Sequence, residues 1–116
     1  QDFERFARRE LEARRQLGYP PFGRLARVLL RGKRLVALRQ RGAEVSEALG
    51  RGGGAGTVLG PAPCPIARIQ GFGRHHILIK AASHQHLVRM LDRAAEALHR
   101  RGGVQADVDI DPVSLL

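Results

Sequence analysis

A chain of 116 residues with 43% apolar content is sized for one compact domain with a modest core. Its formal charge is +9, from 20 Lys+Arg against 11 Asp+Glu, and lysine occurs only at Lys33 and Lys80, so the positive charge is almost all arginine. One cysteine, Cys64, excludes an internal disulfide and a cysteine-built zinc cage, and no apolar run approaches the roughly 20 residues needed to cross a bilayer.

In chain order, the first predicted element is a helix over 2–17, with Asp2 as its cap and Phe3, Phe6, Ala7, Leu11 and Leu17 near one stripe. The run Gly18-Tyr19-Pro20-Pro21-Phe22-Gly23 stops it, because proline lacks an amide donor and restricts the residue before it. A strand follows over 24–31, with Ala26, Val28 and Leu30 toward a core and Arg27, Leu29 and Arg31 turned away. A second helix over 33–49 has Leu35, Leu38, Val45 and Leu49 as its buried stripe and Gly50 as a left-handed terminator. The glycines of 51–56 make a flexible turn.

Residues 57–60 form a short strand, and 60–70 a Pro-rich connection. The third strand covers 74–80, with Ile77 and Ile79 on one face and Leu78 and Lys80 on the other. Ser83 caps a helix over 84–100, which carries Leu87, Leu91, Ala94, Ala95 and Leu98. The last strand, 104–110, turns Val104, Ala106, Val108 and Ile110 inward. The expected class is therefore α+β: a ferredoxin-like β-α-β-β-α-β sandwich, a four-stranded antiparallel sheet with two helices on one face, preceded by an N-terminal helix. Residues 1–23 are the leading helix and its Tyr-Pro-Pro-Phe connector, and 24–116 the ferredoxin-like domain. The sheet's second face is left for solvent, the leading helix or a partner. The charged stretch from Gln1 to Arg15 does not read as a signal peptide, and a chain without a starting Met is expected to be a piece of a longer protein.

The chemistry-bearing residues point to binding rather than catalysis. Asp107, Asp109 and Asp111 share one face of the last strand, a spacing that suits a divalent cation but suits a solvated face neutralised by Arg27 and Arg31 better. His75 and His76 point to opposite faces, and His84 and His86 do not share a helix face, so the histidines read as surface residues and not as metal ligands. No phosphate-cradling glycine loop, nucleophile elbow or paired acid and base is present. Tyr19 and Phe22 could stack on bases, but a hydrophobic clamp on the leading helix is the preferred role. The best binding segment is 68–76, which joins Arg68, Arg74 and His76 around Phe72. The net charge favours a polyanionic partner. A GC-rich genome would also raise arginine content, yet codon bias alone need not unbalance acid and base.

Three motifs in order carry a resemblance. They are Phe6-Ala-Arg-Arg-Glu10-Leu11 through Tyr19-Pro20-Pro21-Phe22, then Leu59-Gly60-Pro61-Ala62-Pro63-Cys64-Pro65-Ile66 with Arg68, Gly71 and Arg74, and finally Asp107-Val-Asp-Ile-Asp111-Pro112. The chain resembles, over essentially its whole length, the C-terminal domain of the bacterial primosomal replication-restart PriA family (primosomal protein N′), superfamily 2 DNA helicases.

The resemblance implies a domain with no chemistry of its own within an ATP-dependent 3'-5' DNA helicase family. The family's ATP, Mg and Zn sites lie in other domains, so no cofactor is expected here. The implied partners are branched and single-stranded DNA, the acidic tail of single-stranded-DNA-binding protein, the helicase core of the same chain and other primosome proteins. No membrane is involved, and the expected location is cytoplasmic, on the nucleoid. Two departures stand out: His75 and His76 replace an aromatic and a Gln, and His84 and Val88 align with an Arg and a Gln that serve the family's acidic-tail pocket.

The expected binding residues are Arg68, Arg74 and His76, with His84 from the resemblance, and Arg8, Arg9, Arg14 and Arg15 adding nonspecific phosphate contacts. The competing readings are a structural module that docks the helicase core and binds no DNA alone, and a ribosomal or RNA-binding protein of the same fold.

Overall fold

Alternation of apolar and polar residues makes Arg24–Gly32 a strand, β1, and buries Ala26, Val28 and Leu30 completely. β1 lies at the centre of the sheet. The computed structural model describes residues 2–17, 23–52 and 56–111, without the side chains of residues 2, 10, 11 and 13–17. The further elements are α1 (Asp2–Leu17), α2 (Leu35–Gly50), β2 (Thr57–Ile69), β3 (Phe72–Ala81), α3 (His84–Arg93), α4 (Ala95–His99) and β4 (Val104–Ile110). The four strands run antiparallel in the order β2-β3-β1-β4, the ferredoxin-like arrangement expected from the element order.

The helices α2, α3 and α4 cover one sheet face. Leu38, Val45, Ala48 and Leu49 of α2, Leu87, Met90, Ala97 and Leu98 of the later helices, and Ala94 between those two helices meet Val28, Leu30, Ile77 and Ile79 in one cluster. Fully burying side chains of this size stabilises by about 1.5–3 kcal/mol each. The second face carries a smaller cluster, in which Ala7 of α1 packs on Leu25 and Leu78 with Phe3, Phe6 and Leu59 around it. The leading helix thus covers part of the face left open by the sequence reading. The Tyr19–Phe22 connector, residues 53–55 and Pro112 lie outside the described residues.

Several expectations need correction. The strand at 57–60 continues through the Pro-rich segment to Ile69, with register irregularities on the way. β2 is an edge strand, so only one side of its backbone is paired and residues without N–H are tolerated there. The helix expected over 84–100 breaks at Ala94, whose N–H is shared between the carbonyls of Met90 and Leu91; Ser83 does cap its start, accepting from the His86 N–H at 3.0 Å.

Gly50 belongs to α2 and is not a left-handed terminator, since Arg51 follows it in right-handed helical conformation. Leu35, at the first turn of α2, is 45% exposed, and the slot one turn beyond Leu38 is filled by Arg41. Val108 and Ile110 share the core-facing side of the sheet with their register partners Val28 and Ala26, yet on edge strand β4 they remain about two-fifths exposed. The surface reading of His75 and His76 fails, because β3 is flanked on both sides by strands and covered on both faces.

Candidate nucleic-acid interface

The register brings three connections to one end of the sheet. Gly32 pairs with Gly73 on one side and with Val104 on the other. The turn from β1 to α2, the β2–β3 hairpin and the connection from α4 to β4 therefore converge. In the hairpin, Gln70 and Gly71 have φ of 52° and 84°, the left-handed pair that a two-residue turn demands. Arg68 donates from Nη2 to the Gly71 carbonyl at 2.8 Å.

Between these connections lies a cleft of about 840 Å³. Lys33 and Arg34 line one side, Phe72 stands at the hairpin, and Arg101, Gly102 and Gly103 close the other side. Lys33 Nζ sits 5.5 Å from the Phe72 ring centroid, a cation–π contact. Lys33, Arg34, Arg68 and Arg101 are exposed, and none of them forms an ion pair with a carboxylate among the described residues. Arg34 precedes α2 without a side-chain cap, and the first turn holds no acidic residue. The helix thus adds unsatisfied N–H groups and the positive end of its dipole to the same end of the sheet.

Two other arginines at this end are committed elsewhere. Arg100 is held by Glu96 and Glu44, which keeps the Glu44 carboxyl below its usual range. Arg41 is buried and donates to the carbonyls of Ala97, Arg100 and Arg101 at 3.2, 2.9 and 3.3 Å. It holds the C-terminal end of α4, where the carbonyls lack helical partners.

The expected binding residues are not gathered together. Arg68 belongs to the cleft end. Arg74 points to the second sheet face, is 8% exposed and donates to the Ile66 carbonyl at 2.8 Å. His76 is 2% exposed with its ring centroid 4.5 Å from that of Phe3, and its Nδ1 has no hydrogen-bond partner among the described residues. Burial, with Arg27, Arg74 and His75 adding repulsion, pushes its pKa down to about 4, so the ring is neutral at pH 7. His84 and Val88 are exposed on α3, which follows the opposite end of the sheet, where Arg24 pairs with Ala81. Arg8 and Arg9 are exposed on α1, while the side chains of Arg14 and Arg15 lie outside the described residues.

The acidic ladder meets arginines only in part as expected. Arg31 lies 3.5 Å from Asp107, but Arg27, though in register with Asp109, forms no ion pair with it among the described residues, and Asp111 instead meets Arg24 at 2.8 Å.

The sequence reading missed Lys33, Arg34 and Arg101. Each adjoins a predicted turn, and the predicted topology places those turns beside the 68–76 hairpin; that was the usable signal.

The chain matches the family described as "Primosomal protein N C-terminal domain" over residues 15–113. It is 30% identical over 115 residues to a replication restart protein PriA of Thermotoga maritima, covering 99% of this chain and 14% of that relative. Similarity to the PriA of Treponema pallidum is 32% over 116 residues, covering 99% and 18%, and to that of Bacillus subtilis 29% over 119 residues, covering 99% and 15%. The chain thus spans less than a fifth of the curated relatives it matches. A de novo designed protein, Foldit4, shares the fold with a TM-score of 0.54 at 15% identity, covering 74% of this chain and 94% of that one.

Proposed function

The chain belongs to the family of primosomal protein N C-terminal domains, and from that premise we propose that it is a DNA- and protein-binding domain of a replication-restart protein, without chemistry of its own. The observation that carries this reading is the convergence of Lys33, Arg34, Arg68 and Arg101 at one end of the sheet with no carboxylate partner among the described residues. Four cations without a carboxylate partner, three of them lining the cleft and Arg68 on the adjoining hairpin, attract a phosphate backbone and release its counterions on contact. The exposed Arg8 and Arg9 of α1 supply further phosphate contacts on another surface. The whole protein would use the domain at stalled forks and D-loops, beside its ATP-dependent helicase core.

The test is titration of labelled forked and single-stranded DNA with the chain and with the triple variant Lys33→Ala, Arg34→Ala, Arg101→Ala. Loss of phosphate contacts should weaken binding roughly tenfold or more. Unchanged affinity with a native thermal melt would overturn the reading. A peptide carrying the acidic tail of single-stranded-DNA-binding protein, added as competitor, tells whether the same cations also serve that partner.

A further inference from the structure

We propose that the cleft between Phe72 and the Arg101-Gly102-Gly103 connection receives one unstacked nucleotide of a single strand, its base against Phe72 and its phosphate on Arg34 and Arg101. The inference rests on the polyanion reading above and adds what that reading lacks, a reason to prefer single strands over duplex.

Four observations converge. The cleft volume of about 840 Å³ lies within the range of small-molecule sites. An aromatic ring stands in its wall, in a chain where aromatics are only 4%. Lys33 sits over that ring, and Arg34 and Arg101 line the same cleft. Lys33 is on a flexible stem and can leave the Phe72 face for a phosphate when a base takes its place.

The opposite wall favours a base over an acidic peptide. Asp107 and Gln105 line it; Arg31 pairs with Asp107 at 3.5 Å and donates to Gln105 Oε1 at 3.0 Å, which leaves the Gln105 amide N–H groups to donate to a base edge. A run of carboxylates would instead face Asp107 directly. Duplex DNA keeps its bases stacked, so its phosphates reach the rim while its bases cannot reach Phe72.

The experiment compares oligothymidylate with the same backbone made abasic, equal to it in length and charge, and with a duplex of the same length. They are titrated against the chain, Phe72→Leu and Phe72→Tyr at one salt concentration. Leucine keeps the apolar packing and removes the stacking face, while tyrosine keeps both. Stacking of one base predicts that Phe72→Leu loses roughly tenfold on oligothymidylate. Phe72→Tyr should lose little, and the abasic strand should bind the chain and Phe72→Leu equally weakly.

If abasic and base-bearing strands bind alike and Phe72→Leu changes neither, the nucleotide site is wrong while the polyanion reading stands. If no probe binds, both fall. If Phe72→Leu weakens abasic, duplex and base-bearing probes equally, Phe72 only shapes the loop and the proposal also fails.

Discussion

The guanidinium of Arg41, midway along α2, donates to the main-chain oxygen of Arg100 at 2.9 Å, joining positions 59 residues apart. Donation to Ala97 and Arg101 makes the same side chain a cap for α4. Arg41→Leu would leave those carbonyls without a donor in a buried setting. A loss of about 2–4 kcal/mol is expected. Urea unfolding measures it, and DNA affinity should fall too, because the Arg101-Gly102-Gly103 wall of the cleft loses its anchor.

Among the described residues, Asp107 is the one acidic side chain on the wall of the cleft. Its ion pair with Arg31 is exposed, so Asp107→Asn should cost less than about 1 kcal/mol of stability. Removing the carboxylate also removes repulsion of phosphates. Binding of single-stranded DNA should tighten a few-fold at low salt, and the gain should vanish at high salt as screening takes over, which a titration at two salt concentrations checks.

Acid should destabilise the fold through His76. Its folded pKa of about 4 lies below the ordinary value of 6.5. Between those values the unfolded chain binds a proton that the folded chain refuses, so stability is fully present above about pH 6.5 and declines as the pH falls toward 4. His75 is shifted the same way by burial and Arg39. His76→Leu keeps an apolar contact for Phe3 and removes the titration. Thermal melts at pH 7 and pH 4.5 should show a smaller difference for the variant than for the unaltered chain.

Gly23 enters β1 with φ of +85°, and a Cβ there would lie 2.2 Å from the carbonyl oxygen of Ala81. Backbone cannot yield as a flexible side chain would. Gly23→Ala is expected to lose at least about 2 kcal/mol, read as a lowered thermal midpoint.

The period of two in β1 and the stripe of Leu38, Val45 and Leu49 made the sandwich legible, since both patterns report one buried face. The length of β2 was not legible. Its prolines signal a loop unless the strand is known to lie at an edge, and edge position is a property of the whole sheet. The break at Ala94 carries no glycine or proline and is set by packing. Burial of His76 followed from a central strand covered by α1, which single-residue polarity does not reveal. At the cleft end of the sheet, Arg68 and Phe72 stood out by spacing, whereas Lys33, Arg34 and Arg101 needed the three connections to be brought together.

The DNA recognition proposed for this domain is electrostatic at root, so the salt dependence of its affinity is the decisive measurement. Four phosphates neutralised at the sheet end predict that log affinity for single-stranded DNA falls against log salt with a slope of about −3. The triple variant Lys33→Ala, Arg34→Ala, Arg101→Ala should flatten that slope to about −1. A slope near zero for the unaltered chain, or one that the triple variant leaves unchanged, would refute recognition through these four cations.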